Sequence, residues 1–168
     1  QSMWSYRSQY TPTMTAVALM FAIMIPRKIA YEQNKIALFE KRYNLYMDFS
    51  KVLAFIKILE TNEIKTKNEG VLEFVNFVGD NDFSDQDSGL VQAKAKSLLI
   101  KIVEKWGQVS YLFGLKSDEL IEDYFKSLTA MVKAKNDNEF LKYLEESKKL
   151  FNKINEQMLP ILESYLHI

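Results

Sequence analysis

Cysteine is absent from the 168 residues. That removes disulfides, thiolate nucleophiles and cysteine-ligated metals at once, and it fits a reducing compartment. The only histidine is His167, next to last in the chain, where a base has no fixed partner to orient it. A triad of the common kind, or the Glu-x-x-His pairs of a di-metal helical site, therefore has no imidazole to draw on. Five glycines are scattered, and none falls at the spacing of a phosphate-binding loop or a dinucleotide-binding turn. Three prolines are few enough to leave long helices intact. Neither sign of charge is in excess, with 22 basic and 22 acidic residues, so no global field points to nucleic acid. Nothing in the sequence calls for a cofactor.

What is present is a long apolar run. No charge occurs from Ser8 to Ile25, which is 18 residues, and from Met14 to Ile25 only Thr15 is polar. A spanning helix needs about 20 mostly apolar residues, and Met14, Val17, Leu19, Phe21, Ile23 and Ile25 are the candidate anchor residues. Pro26, Arg27 and Lys28 follow at once, with Lys35, Lys41 and Arg42 soon after, whereas only Arg7 precedes. This basic excess predicts that the C-terminal side faces the cytoplasm and meets anionic lipid. Trp4, Tyr6 and Tyr10 sit on the other flank, where amphipathic rings favour the membrane interface. A secretory signal would carry its charges before the apolar stretch, not after it. The competing reading is a helix buried in a soluble core or a homo-oligomeric interface; a run that is apolar on every face argues against it. Gln1-Ser2-Met3 reads as a tag remnant and start methionine, giving an expected division into 1–3, an apolar helix with flanks at 4–28, and a helical domain at 29–168.

From residue 29 the pattern becomes amphipathic. Ile36, Phe39, Tyr43, Tyr46, Phe49, Leu53 and Ile56 recur every three or four residues, one face of a helix near 33–60 that continues the apolar segment with a bend near Pro26. Phe39, Tyr43, Tyr46 and Phe49 are its candidate core or interaction face. Residues 61–70 read as a polar connection, 71–78 as a short helix or a strand, and 79–89 as a loop. A helix over 91–113 carries Ala95, Leu98, Ile102, Trp106 and Val109 on one face and ends at Gly114. Ser117 and Asp118 cap the next, which shows Leu128 and Met131. Asn136 with Glu139 resembles a capping box for the last helix, whose seam runs from Phe140 to Tyr165, with Pro160 expected to kink it or end its regular part. The expected fold is all-α: a transmembrane-type helix continuing into an antiparallel bundle of about four long helices.

One acidic cluster, Asp80, Asp82, Asp85 and Asp87, is a weak candidate metal site. A calcium loop of EF-hand type needs glycine at its sixth position and glutamate at its twelfth. Counting from Asp80 those positions hold Asp85 and Val91, and from Asp82 they hold Asp87 and Ala93, so both registers fail and a solvated loop is the simpler reading. The acids at Glu119, Glu122, Asp123, Glu145 and Glu146 read as solvent faces. A membrane-face enzyme working with carboxylates alone is the least supported alternative.

The stretch Asn34-Lys35-Ile36-Ala37-Leu38-Phe39-Glu40-Lys41-Arg42-Tyr43, followed by Tyr46 and Phe49, resembles a helix found after the span in small uncharacterised bacterial single-pass membrane proteins. The likeness covers about the first third of the chain and carries no catalytic residue. It implies an anchor in the bacterial inner membrane with the N-terminus outside and the helical domain in the cytoplasm. The partners expected on this reading are membrane lipid and either another protein or further copies of the chain, in a scaffold or interaction role.

Overall fold

The computed structural model describes residues 3–113 and 119–166, with side chains from Thr13 onward apart from those of Val109 and Ser110. Among them all regular structure is helical and none is strand. The chain divides into two compact units, Gln1–Glu40 and Lys41–Ile168, and the first helix, α1 (Met3–Thr61), contributes to both. Pro26 does not interrupt α1; proline lacks one backbone donor, and an apolar helix tolerates that single loss.

Within the first unit every described side chain, from Thr13 to Glu40, is exposed. The amphipathic stripe begins to work as a core face only in the second unit. There Leu45, Phe49, Val52, Leu53, Phe55, Ile56 and Leu59 of α1 are all buried, as spacings of three, four and seven require of one helix face. They pack under Phe74 and Val75, under Ala95, Leu99 and Trp106, and under Tyr124, Leu128, Met131, Phe140, Leu144 and Ile154. Phe49 stacks on Trp106 with ring centroids 4.1 Å apart, and Trp106 on Phe125 at 5.6 Å. Tilted aromatic pairs of this kind add to their burial through the quadrupoles of the rings.

After α1 come α2 (Lys67–Glu73), capped by the Thr66 hydroxyl, which accepts from the Glu69 amide, and a π-helical turn at Phe74–Val78. Residues 71–78 are thus helical throughout, and half of the expected connection at 61–70 is helix as well. The loop that follows contains a single tight turn at Asp85–Asp87. The segment read as one helix over 91–113 is two, α3 (Ser88–Trp106) and α4 (Val109–Phe113), parted at Gly107. Gly114, Ser117 and Asp118, expected at caps, lie outside the described residues. Next is α5 (Glu119–Val132), then α6 (Asp137–Gln157) and α7 (Leu159–Ser164). The Asn136 side chain accepts from the Glu139 amide at 2.9 Å, while the Glu139 carboxylate closes on the Lys135 amide at 2.6 Å, one residue earlier than a capping box requires. Of the two expected effects of Pro160, the second holds: the regular part of α6 ends at Gln157, and α7 restarts with Pro160 in its first turn, where its missing N–H costs nothing. Helices α5 and α6 pack on one another through Ser127, whose hydroxyl lies 2.9 Å from that of Ser147 and donates to the Tyr143 carbonyl at 3.2 Å.

Candidate functional site

Three features of the described residues bear on function: the apolar segment with its basic flank, the acidic loop, and a groove beside α3. The first belongs to the Gln1–Glu40 unit. Met14, Val17, Leu19, Phe21, Ile23 and Ile25 are all exposed, from 73% at Met14 to 46% at Val17, with Met20 and Met24 beside them. Residues 13–40 include one window long and apolar enough to cross a membrane, by length and composition, and none of it is buried within the chain. Leaving a fully exposed Leu, Ile, Phe or Met in water rather than burying it forgoes roughly 1.5–3 kcal/mol per side chain. The 18 uncharged residues make a helical stretch of about 27 Å at 1.5 Å per residue, close to the thickness of a bilayer core. Arg27, Lys28 and Lys35 are exposed on the same unit, and the Lys35 ammonium lies 5.2 Å from the centre of the Tyr31 ring.

At the start of the Lys41–Ile168 unit, Lys41 is exposed, whereas Arg42 is half-buried and has partners within the fold. Its Nε donates to the Leu112 carbonyl at 2.6 Å and its guanidinium lies 5.1 Å from the centre of the Tyr165 ring, which meets Phe113 edge-on at 5.9 Å. One turn on, the Tyr46 hydroxyl donates to Glu163 at 2.9 Å. Burial first, and the Glu163 hydrogen bond second, raise the Tyr46 pKa above its ordinary value. Of the four aromatics expected to share one face, Phe49 is fully buried and Tyr46 half-buried, while Phe39 and Tyr43 remain exposed at 45% and 41%. Arg42 therefore acts as a clasp joining α1 to the ends of α4 and α7. No local sequence signal distinguishes it from its basic neighbours, because its acceptor lies 70 residues away.

The acidic loop is organised by amides. Asn76 donates to the Phe83 carbonyl at 3.0 Å and accepts from the Phe83 amide at 2.9 Å, and Asn81 donates to the Gly79 carbonyl at 2.9 Å. The carboxylates go separate ways. Asp80, at a positive φ of 53°, pairs with Lys51. Asp87 accepts from both the amide and the hydroxyl of Ser84, and Asp82 and Asp85 are exposed. Among the described residues no three carboxylate or imidazole groups come together in a way that could hold a metal ion. His167 lies outside them.

The groove was not foreseen. It has a volume of about 830 Å³ and runs between α3 and the C-terminal end of α5, within the range of ligand or peptide clefts. Leu99 and Ala134 form a buried floor, Ile100 and Val103 an exposed apolar wall, and Lys67, Lys96, Lys133 and Lys135 stand around it. Among the described residues none of these four ammonium groups has an acidic side-chain partner. The signal was a second stripe on α3, Gln92, Lys96, Ile100 and Val103, hidden beside the stronger buried one. Compared with family models, curated proteins and solved structures, the chain matches none.

Proposed function

We propose that the chain is a single-pass membrane-anchored interaction module without catalysis of its own. Residues around 8–25 cross the bilayer, and the Lys41–Ile168 unit is an antiparallel helical bundle held on its cytoplasmic side. The observation that carries this reading is the exposure, on every face, of an apolar segment of spanning length. Such a surface is stable in hydrocarbon and unstable in water. The excess of Arg27, Lys28, Lys35 and Lys41 over Arg7 sets the N-out, C-in orientation, and the same four residues attract anionic lipid, at roughly 1 kcal/mol each near the surface. The resemblance of residues 34–49 to a helix of bacterial single-pass proteins favours an inner membrane as the bilayer concerned. With no cysteine in the chain, and among the described residues no histidine and no group of acids that could hold a metal ion, what the domain offers is surface: the lysine-rimmed groove and the exposed face of α3.

Leu19→Arg and Phe21→Arg, made together, test the anchor. Each arginine at mid-span opposes insertion by about 2.5–3.5 kcal/mol, so the double variant is expected to leave the membrane fraction. If it stays there as fully as the parent, the segment does not span. If the parent itself is a soluble oligomer, the alternative of an apolar helix buried between copies takes its place.

A further inference from the structure

We infer that α3 is the seam of a homodimer, packing antiparallel against α3 of a second copy about a two-fold axis at Ile100. This deepens the interaction-module reading by naming the partner, and it does not depend on membrane insertion. Helix α3 has two faces. Val91, Ala95, Leu99, Ile102 and Trp106 are buried in the core. On the opposite side Ala93, Lys96, Ser97, Ile100, Val103, Glu104 and Gly107 are all exposed, Ile100 at 60% and Val103 at 49%.

A two-fold interface is isologous, so the exposed face must complement itself. In an antiparallel pair centred on Ile100, a residue a given number of places before it meets the residue the same number after it. Lys96, four before, then meets Glu104, four after, and the symmetry makes that ion pair twice. Ile100 meets Ile100 at the centre. Ala93, seven before, meets Gly107, seven after, and two small residues let the helices approach closely at both ends of the seam. Among the described residues nothing requires glycine at 107: its φ is −58°, and an added Cβ would meet nothing nearer than 3.4 Å. Val103 of the second copy falls toward the groove floor of Leu99 and Ala134. The C-terminal end of that copy's α3, the negative end of its dipole, lies over the half that carries Lys96. A parallel pair would set Lys96 against Lys96 and Glu104 against Glu104, so charge selects the antiparallel register. Among the described residues neither Lys96 nor Glu104 has an ion-pair partner within its own chain.

One helix pair buries less than a standard interface of about 1,600 Å², so the dimer is weak and is best trapped covalently. The chain has no cysteine, and Ile100→Cys supplies a single thiol at the axis, within disulfide reach of its symmetry mate. Mild oxidation of the full chain in detergent should convert this variant to a disulfide dimer. Leu90→Cys, 64% exposed on the same helix but about 30 Å from its mate in this register, should stay monomeric. In the Ile100→Cys background, Lys96→Glu or Glu104→Lys alone should lower the dimer yield about fivefold, as two repulsive pairs of moderate strength would, and the two together should restore it. Equal cross-linking of the two cysteine variants, or no restoration by the double swap, overturns the proposal. So does a monomer that instead binds a synthetic helical peptide of leucine and glutamate, which would give the groove to an acidic helix of another protein. Because the readout is taken in detergent, its failure is separate from failure of membrane insertion.

Discussion

Tyr124 lies at the centre of the core, fully buried, with its hydroxyl donating to the Val52 carbonyl at 3.1 Å. Burial holds its pKa well above the ordinary tyrosine value, and Tyr46 is raised in the same direction by burial and by Glu163. Both groups keep their protons in the folded chain where the unfolded chain has begun to lose them, near pH 10. Their contribution to stability is therefore complete below that pH and falls as pH rises beyond it. Unfolding midpoints of the detergent-solubilised chain should be level from pH 8 to about 9.5 and decline above. Tyr124→Phe should cost about 1 kcal/mol at neutral pH and flatten the alkaline decline. An unchanged slope in that variant would contradict the assignment. A single aromatic of this kind is readable from sequence as apolar but not as buried and hydrogen-bonded, since its acceptor is 72 residues away. The same holds for Arg42, which shares its local pattern with the exposed Lys41 and is separated from it only by Leu112 and Tyr165.

Among the elements, α2 shows how a small residue fixes a crossing. Gly70 is buried, and a Cβ there would come within 2.2 Å of Cζ and 2.5 Å of Cε2 of Phe140, itself 1% exposed in α6. That ring has no room to withdraw, so Gly70→Ala should destabilise by about 1–3 kcal/mol, the usual range for overpacking. Phe140→Leu in the same chain should recover part of the loss, giving a double-mutant coupling that independent sites lack. Strictly additive effects in thermal or denaturant unfolding would rule the contact out. Sequence periodicity located α1, α5 and α6 well because each presents an apolar stripe with a charged opposite face. It ran α3 and α4 together, since Gly107 adopts helical angles and gives no turn signature. The π-helical turn at Phe74–Val78 was equally hidden: its apolar run fits helix or strand, and packing of Phe74 under Phe55, ring centroids 5.3 Å apart, decides between them. The stripe of α1 could not show by itself where burial starts. Ile36, Phe39 and Tyr43 keep the same spacing as Phe49 and Leu53 yet are exposed, and full burial on α1 begins only at Leu45.

At the scale of the molecule, two units of opposite character share one chain. Residues 13–40 expose their apolar side chains, whereas most apolar side chains described in Lys41–Ile168 are buried or half-buried, and these are the two responses an apolar surface has to two solvents. The candidate anchor was legible because it needs only a run of residues and their flanking charges. The groove and the outward face of α3 were not, because they arise where α3 meets the end of α5 and leaves Ile100 and Val103 uncovered. The measurement that bears most directly on the anchored reading is fractionation of the full chain in cells, with a carbonate wash of the membranes and protease added to intact spheroplasts. Retention after the wash, with residues beyond Arg27 protected until the membrane is opened, is the expected result. Release by carbonate would contradict it and make residues 14–25 a packing helix, and cleavage of the Lys41–Ile168 unit in intact spheroplasts would reverse the orientation.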